Sequence, residues 1–394
     1  MKTLEIIFWV CLFIVVYTYA GYGLLLYMAV RLKRLLVGKK PAPLLPADEA
    51  LPSVTLMVCA YNEQDVVDMK MENTLMLDYP KAKLRVMWVT DGSTDHTNQR
   101  LRQYPGVQVV YTPERRGKTA ALNHGFAEVT TDITIMTDAN TRLNPSAVRE
   151  MVRLMTDGRV GCVAGEKRVV ALSDEDTAAK GEGLYWKYES ALKRWDSELY
   201  SAMGAAGELN AIRTSLYRPM AEDTLLDDFV MSMNLVADGY RIAYTSDAYA
   251  IETGSANIEE EAKRKRRIAA GGLQSIARLP RMLNILRRPL PAFQYISHRA
   301  LRWSVAPMAM MALIPLNVAL VWTNAGAPYV AIWALQILFY AAAFAGWQME
   351  QHGRKSRLLY VPYYFLFMNL NVFRGMAYLC THRSNGAWEK VKRA

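Results

Sequence analysis

Apolar positions fall into distinct patterns along the chain. Leu4–Val30 is a nearly uncharged run, long enough as a helix to span the roughly 30 Å hydrocarbon core of a bilayer. Its length argues for a retained span and against a cleaved signal peptide. Between residues 53 and 140 short apolar runs alternate with helical stretches. Strands are predicted at Ser53–Tyr61, Leu84–Thr90, Val107–Tyr111 and Asp132–Thr137, and helices over Asp65–Leu77 and Thr119–Val129. Short apolar runs bounded by turn residues are strands of a buried parallel sheet, so this region predicts a doubly wound α/β domain. The pattern then loosens. Helices are predicted over Pro145–Thr156, Ala178–Leu199, Phe229–Asp238 (closed by Gly239) and Ile258–Ala277. Short strands are predicted at Val160–Ala164, Leu209–Thr214, Arg241–Tyr244 and Ala248–Glu252. Pro280–His298 reads as an interfacial segment. Trp303–Trp322 and Ala327–Trp347 are further spans, and Leu358–Cys380 is a third that Arg374 interrupts.

These patterns divide the chain into an N-terminal transmembrane helix (1–32), a basic, proline-containing linker (33–52) and a cytoplasmic α/β domain (53–277). An interfacial segment (278–302), C-terminal transmembrane helices (303–380) and a basic tail (381–394) follow. Charge changes the picture in one respect. The chain has 394 residues, 52% hydrophobic, with a net charge of +10, and much of the positive charge flanks the apolar segments. Arg31, Lys33, Arg34, Lys39 and Lys40 follow the first span, which puts its inner end in the cytoplasm. The expected location is a plasma (cell inner) membrane, crossed several times. Counting spans would then put the tail outside, against its basic charge; the last segment is either broken or re-entrant, or the tail is an exception. Membrane lipids are expected partners and nucleic acid is not, because no basic stripe carries interleaved aromatics. The four cysteines are scattered without a CxxC pair, which fits free thiols and no structural zinc.

The candidate chemistry lies at the strand ends. Leu84–Thr90 runs into Asp91-Gly92-Ser93, and Asp132–Thr137 runs into Asp138-Ala139-Asn140. Ligands of such sheets bind outside the carboxyl ends of the strands, so both acids face one crevice. Carboxylate and amide oxygens there suit a ribose or base contact and a hard divalent cation, Mg²⁺ or Mn²⁺. The plainer reading of each Asp is a turn former or helix cap. Asp227 and Asp228 stand at the start of a helix, where one can cap and the other react; Glu222-Asp223 is the fallback pair. No GxGxxG follows a strand, which argues against a dinucleotide site.

Taken together, Ala60-Tyr61-Asn62-Glu63, Asp91-Gly92-Ser93-Thr94-Asp95, Gly117-Lys118, Thr137-Asp138-Ala139-Asn140, Asp227-Asp228 before Gly239-Tyr240, and Arg264–Gly272 resemble the membrane-embedded members of glycosyltransferase family 2. Poly-N-acetylglucosamine, hyaluronan, chitin-oligosaccharide and cellulose synthases are among these. The resemblance implies a GT-A-like fold and transfer, with inversion, from a uridine-linked nucleotide sugar to a growing β-linked polysaccharide or oligosaccharide. It implies that Ala60, Tyr61, Glu63, Asp91, Lys118, Asp138, Arg264 and Arg267 bind donor, that Asp138 and Asn140 hold the metal, and that Asp228, beside Asp227, is the base. Gly204 and Gly207 are candidates for the acceptor side, because small residues allow a sugar close to backbone. Two departures stand out. Asn140 replaces the second acid of the family's Asp-x-Asp motif. In the family's Gln-x-x-Arg-Trp motif, Arg264 replaces Gln and Ile268 replaces the Trp that stacks on the acceptor sugar. The altered motif keeps two alternatives open, single-sugar transfer to a membrane lipid and a non-catalytic sugar-nucleotide-binding subunit. An accessory membrane subunit is a further expected partner.

Overall fold

The computed structural model describes every residue except 39, 40, 42, 171–176, 255–257, 353–355 and 382–394, and the backbone alone at 170, 177–186 and 357. The basic tail and the side chains of Tyr185 and Trp186 therefore lie outside the described residues.

One eight-stranded sheet organises the chain. Its strands are β1 (Val54–Ala60), β2 (Leu84–Asp91), β3 (Val107–Thr112), β4 (Ile133–Asp138), β5 (Arg142–Leu143), β6 (Val160–Val170), β7 (Leu209–Arg213) and β8 (Arg241–Thr253), in the order β3-β2-β1-β4-β7-β6-β8-β5. The apolar runs give the parallel half, β3-β2-β1-β4. Both of its faces are covered. Leu56 and Ile135 pack on one side with Val148 and Met151, while Met57, Val89 and Met136 pack on the other with Leu122 and Phe126. Register puts the functional ends level. Ala60 is opposite Thr90, and Cys59 is opposite Asp138, so β1, β2 and β4 end along one edge.

The second half, where the sequence pattern loosens, is mixed. β7 runs antiparallel to both β4 and β6, and β6 then pairs parallel with β8. The two short strands expected at Arg241–Tyr244 and Ala248–Glu252 form one thirteen-residue strand. Its polar triplet Thr245-Ser246-Asp247 falls at a register shift against β6, so turn-forming residues make an irregularity within the strand and do not end it.

Among the described residues, three helices are long and apolar enough to cross a membrane: Lys2–Val37, Val305–Trp322 and Ala327–Gln351. The helix Arg357–Thr381 lies along the helix Ile258–Arg278. Gly375 permits this approach: a Cβ there would sit 2.7 Å from the Ala270 nitrogen and 2.8 Å from the Ala269 Cβ. Tyr364 also hydrogen-bonds Glu261 at 3.0 Å. The first membrane helix is tied to the sheet domain through the helix Thr177–Leu199. Arg34 forks onto Glu198, and Lys33 donates to the carbonyls of Glu198 and Leu199 at that helix's C-terminus. These two cations therefore serve a protein joint.

A buried polar joint completes the connection. Asp196 accepts from Tyr22 of the membrane helix, from Gln294 (2.8 Å) and from His298 Nδ1 (2.6 Å). Glu189 pairs with Arg299 at 2.6 Å and Arg302 at 3.1 Å. The segment Pro280–His298 thus has two halves. Leu283, Ile285 and Leu286 are exposed beside Arg287, as an interfacial segment requires, whereas Ala292, Gln294, Tyr295 and His298 are buried in protein.

Candidate active site

The level strand ends open into a cavity of about 740 Å³. Ala60, Tyr61, Glu63, Asp91, Lys118, Asp138, Asn140, Gly207, Asp227, Asp228, Arg264 and Arg267 all line it. Residues spread over two hundred positions of sequence therefore meet at one place.

At one end β1 runs out into Tyr61-Asn62-Glu63. Asn62 takes a positive φ of 53°, and its side-chain oxygen accepts from the Thr94 amide at 2.8 Å. The Glu63 amide donates to Thr97 Oγ1 at 2.8 Å. These bonds fasten the first strand end to the loop after the second. Asp91 is 5% exposed, and its two oxygens accept the amides of Arg116 (2.8 Å) and Gly117 (2.7 Å). Part of its acceptor capacity is thus already spent on the loop that starts the helix Lys118–Ala127. Gly92 has no room for a side chain, since a Cβ would lie 2.5 Å from the Arg115 nitrogen. Arg115 in turn stacks its guanidinium 3.8 Å from the centroid of the Tyr61 ring.

At the centre, Lys118 Nζ sits 2.7 Å from Asp138 Oδ1. Burial works against its charge, but Asp138 and Asp227 outweigh that and hold the ammonium above its usual range. Asp138 and Asn140 offer one carboxylate and one amide oxygen, and the described residues contain no cluster of three or more metal-ligating His, Cys, Asp or Glu. Such a donor set suits a hard cation that keeps water and takes its remaining ligands from phosphate.

Asp227 and Asp228 lie in the first turn of the helix Asp227–Asp238, and the cap position falls to Leu226 without a side-chain cap bond. The capping reading is thereby corrected. Asp228 Oδ1 accepts the next amide, that of Phe229, at 2.8 Å. Burial, and then the neighbouring charge of Asp227, push its carboxyl up to about 7. Gly239 closes the helix in the left-handed conformation, as its sequence position requires. The fallback pair is engaged elsewhere. Glu222 pairs with Arg116 at 2.5 Å and Asp223 with Arg278 at 2.7 Å, and neither lines the cavity.

The two glycines separate. A Cβ on Gly207 would lie 3.3 Å from Lys118 Nζ and 3.4 Å from Asp228 Oδ2, so bare backbone faces the two charged groups. Gly204 does not line the cavity, which corrects its acceptor-side assignment. It has φ 99°, and a Cβ there would strike the Phe229 ring at 2.3 Å. It is a turn and packing residue.

The helix Ile258–Arg278 turns its basic face inward. Arg264 is 5% exposed and pairs with Glu261 at 3.3 Å; Arg267 and Ile268 line the cavity. Beyond Ile268 the wall continues with Trp303, Tyr19, Met368, Asn369 and Val372. Tyr19 hydrogen-bonds Asn369, a bond that joins two helices. Glu189 also reaches the wall, held by Arg299 and Arg302. Sequence reasoning missed Trp303, Arg299 and Arg302, which only tertiary packing brings here. It also missed Lys70 beneath the floor, for which a signal existed: a lysine at the buried positions of a helix whose Val67, Met71 and Thr74 are all buried.

Residues 55–218 match the glycosyl transferase family 2 model. Over that stretch the chain is similar to family 2 glycosyl transferases. It is 28% identical over 213 residues to the probable glycosyltransferase YdaM of Bacillus subtilis, covering 49% of each chain. It is 27% identical over 223 residues to a poly-beta-1,6-N-acetyl-D-glucosamine synthase of Staphylococcus aureus, covering 53% of this chain and 51% of that one. A beta-monoglucosyldiacylglycerol synthase of Synechocystis is 27% identical over 268 residues, covering 64% and 55%. The chain thus spans about half the length of the curated relatives it matches. Among solved structures, the mannosyltransferase PcManGT of Pyrobaculum calidifontis, in complex with GDP-Man and Mn²⁺, superimposes with a TM-score of 0.69. That match covers 96% of this chain and 99% of that one, at 23% identity. The fold is therefore that of the GT-A glycosyltransferases, with apolar helices toward both ends.

Proposed function

We propose that this protein is an inverting, metal-dependent membrane glycosyltransferase that uses a nucleotide-sugar donor, uridine-linked, and a glycan or lipid acceptor. The observation that carries this reading is the bare Gly207 backbone between Lys118–Asp138 on one side and Asp228 on the other. A sugar laid on that backbone has its phosphate side toward the cation end and its opposite face toward a carboxylate. Tyr61, Glu63 and Asp91 hold the nucleoside. Asp138 and Asn140 would hold a divalent cation, which when bound would stabilise the charge of the leaving diphosphate. The Mn²⁺ of the mannosyltransferase neighbour supports this cofactor class. Lys118 releases Asp138 and turns to the phosphates, and Arg264 and Arg267 add cations to the same end.

Asp228 takes the proton of the acceptor hydroxyl as that oxygen bonds to the anomeric carbon. The bond from that carbon to the phosphate oxygen breaks on the opposite face, and the electron pair leaves with the nucleoside diphosphate. One in-line displacement turns an α-linked donor into a β-linked product. A base that titrates near 7 is matched to this step.

The helices of the fold support a membrane location; the plasma membrane, with the α/β domain on the cytoplasmic side that the basic flanks mark, is the location proposed. The first product class is a β-linked polysaccharide or oligosaccharide. Transfer of one sugar to a membrane lipid is the second, favoured by Tyr19, Met368 and Val372 in the far wall and by the glycolipid synthase among the relatives. A non-catalytic binding subunit, allowed by Asn140 and Ile268, predicts donor binding without release of nucleoside diphosphate. Membranes containing the protein, given labelled nucleotide sugars and Mn²⁺, separate these readings: label in a long water-soluble chain means a polymer synthase, and label extracted into organic solvent means a lipid glycosyltransferase. Gly207→Val should reduce transfer by about 100-fold or more, because its branched side chain fills the sugar's place while leaving the nucleoside end intact. Transfer at wild-type rates with nucleotide binding unchanged would move the sugar elsewhere.

A further inference from the structure

Beneath the cavity floor lies a lysine that the proposed reaction does not use. Lys70, in the helix Val67–Leu75, is 0% exposed. Its Nζ is 2.9 Å from Thr137 Oγ1, 2.9 Å from the Thr141 carbonyl and 3.1 Å from Thr141 Oγ1. An ammonium has three protons, and these three oxygens account for them. Among the described ion pairs none involves Lys70. A buried cation whose hydrogen-bond partners are all neutral is costly, and burial, opposed in part by the charge of Asp138, pulls this ammonium down to about 7.

The partners explain what the cost achieves. Each threonine hydroxyl that accepts from Lys70 keeps its own proton to donate. Thr137 Oγ1 donates to the Glu208 carbonyl at 3.0 Å, and Thr141 Oγ1 donates to the Asp138 carbonyl at 2.8 Å. One ammonium therefore orients two hydroxyls, one toward the turn 138–141 and one toward the loop that carries Gly207 and Glu208. Neither contact involves the nucleoside end.

We propose that Lys70 is a positioning residue for the cation–diphosphate end of the site: through Thr137 and Thr141 it holds the turn bearing Asp138 and Asn140 in register with the Gly207 loop. The proposal rests on the reading of Asp138 and Asn140 as the cation motif. A residue behind a metal ligand acts on metal affinity, typically by about 10–100-fold when removed.

The test uses full-length Lys70→Met in detergent. Mn²⁺ binding is followed by electron paramagnetic resonance with UDP present, and with GDP in parallel. Nucleotide affinity without metal, the melting temperature and sugar transfer across a Mn²⁺ series are measured on the same sample. Half-saturating Mn²⁺ should rise by about 10–100-fold in both binding and transfer. Metal-free nucleotide affinity should stay within about threefold. Unchanged half-saturation overturns the proposal, whatever happens to the melting temperature, since Lys70 is then only a core residue. Should Lys70→Met fail to fold, Thr141→Val decides: it keeps the volume, removes one acceptor and cuts the bond to the Asp138 carbonyl. A raised Mn²⁺ requirement supports the proposal and an unchanged one overturns it. Asp138→Ala, run alongside, separates the two levels. If Asp138→Ala leaves the Mn²⁺ dependence untouched, the cation motif itself is misread. If Asp138→Ala shifts it and Lys70→Met does not, only the role of Lys70 falls.

Discussion

Asp228→Asn is expected to lower sugar transfer by about 10²–10⁴-fold while nucleotide-sugar affinity stays near that of the wild type. The substitution is close to isosteric. Its amide oxygen can still accept the Phe229 amide that Asp228 accepts at 2.8 Å, so the start of the helix survives. What is lost is the capacity to take a proton. The wild-type rate should also depend on pH in a definite direction. Burial and Asp227 raise the Asp228 carboxyl to about 7, and a base works only when deprotonated. Activity should therefore fall as the pH drops through about 7, and Asp228→Asn should lack that acid limb in its residual rate. Near-normal transfer by the variant would move the base to another residue.

The second large effect concerns the cation end. Asp138→Ala, or removal of divalent metal with a strong chelator, should reduce turnover by about 100-fold or more, a typical loss for one preorganised charge contact in a transition state. Asp138 is the one carboxylate of its motif, because position 140 is an amide. The loss is therefore expected to be near complete and not shared with a second acid. The variant also frees Lys118 from its 2.7 Å ion pair, so donor affinity should fall less than turnover. Full activity in the chelator would contradict the assignment of Asp138 and Asn140.

Much of this site is legible in the sequence because its residues follow strands that announce themselves. β1, β2 and β4 are largely apolar runs that each lead into turn residues, so the residue pattern marks their ends and the sheet register brings those ends level. The later half is less legible for identifiable reasons. Thr245-Ser246-Asp247 carries turn chemistry within a strand, because sheet pairing on both sides overrides the local preference. Gly204 and Gly207 look alike in sequence, yet the Phe229 ring claims the space beside one and the cavity claims the other. In the basic run Lys263–Arg267 the residue types alone do not show which cations turn inward. In the fold Glu261 pairs with Arg264 and with Lys265 at 3.3 Å, and both cations are buried. Trp303 reads in sequence as the first residue of a span, whereas in the fold it precedes the helix Val305–Trp322; its place in the cavity wall depends on how that segment packs onto Gly272.

The measurement that bears most directly on the account is donor turnover by the purified protein. It would be incubated with α-linked uridine and guanosine diphosphate sugars, Mn²⁺ and membrane lipid or oligosaccharide acceptors, and followed for released nucleoside diphosphate and for the anomeric form of the product. The account predicts release that requires metal and acceptor, with the sugar appearing in β linkage. Tight donor binding with no release under any of these conditions would contradict it and would leave a sugar-nucleotide-binding membrane subunit.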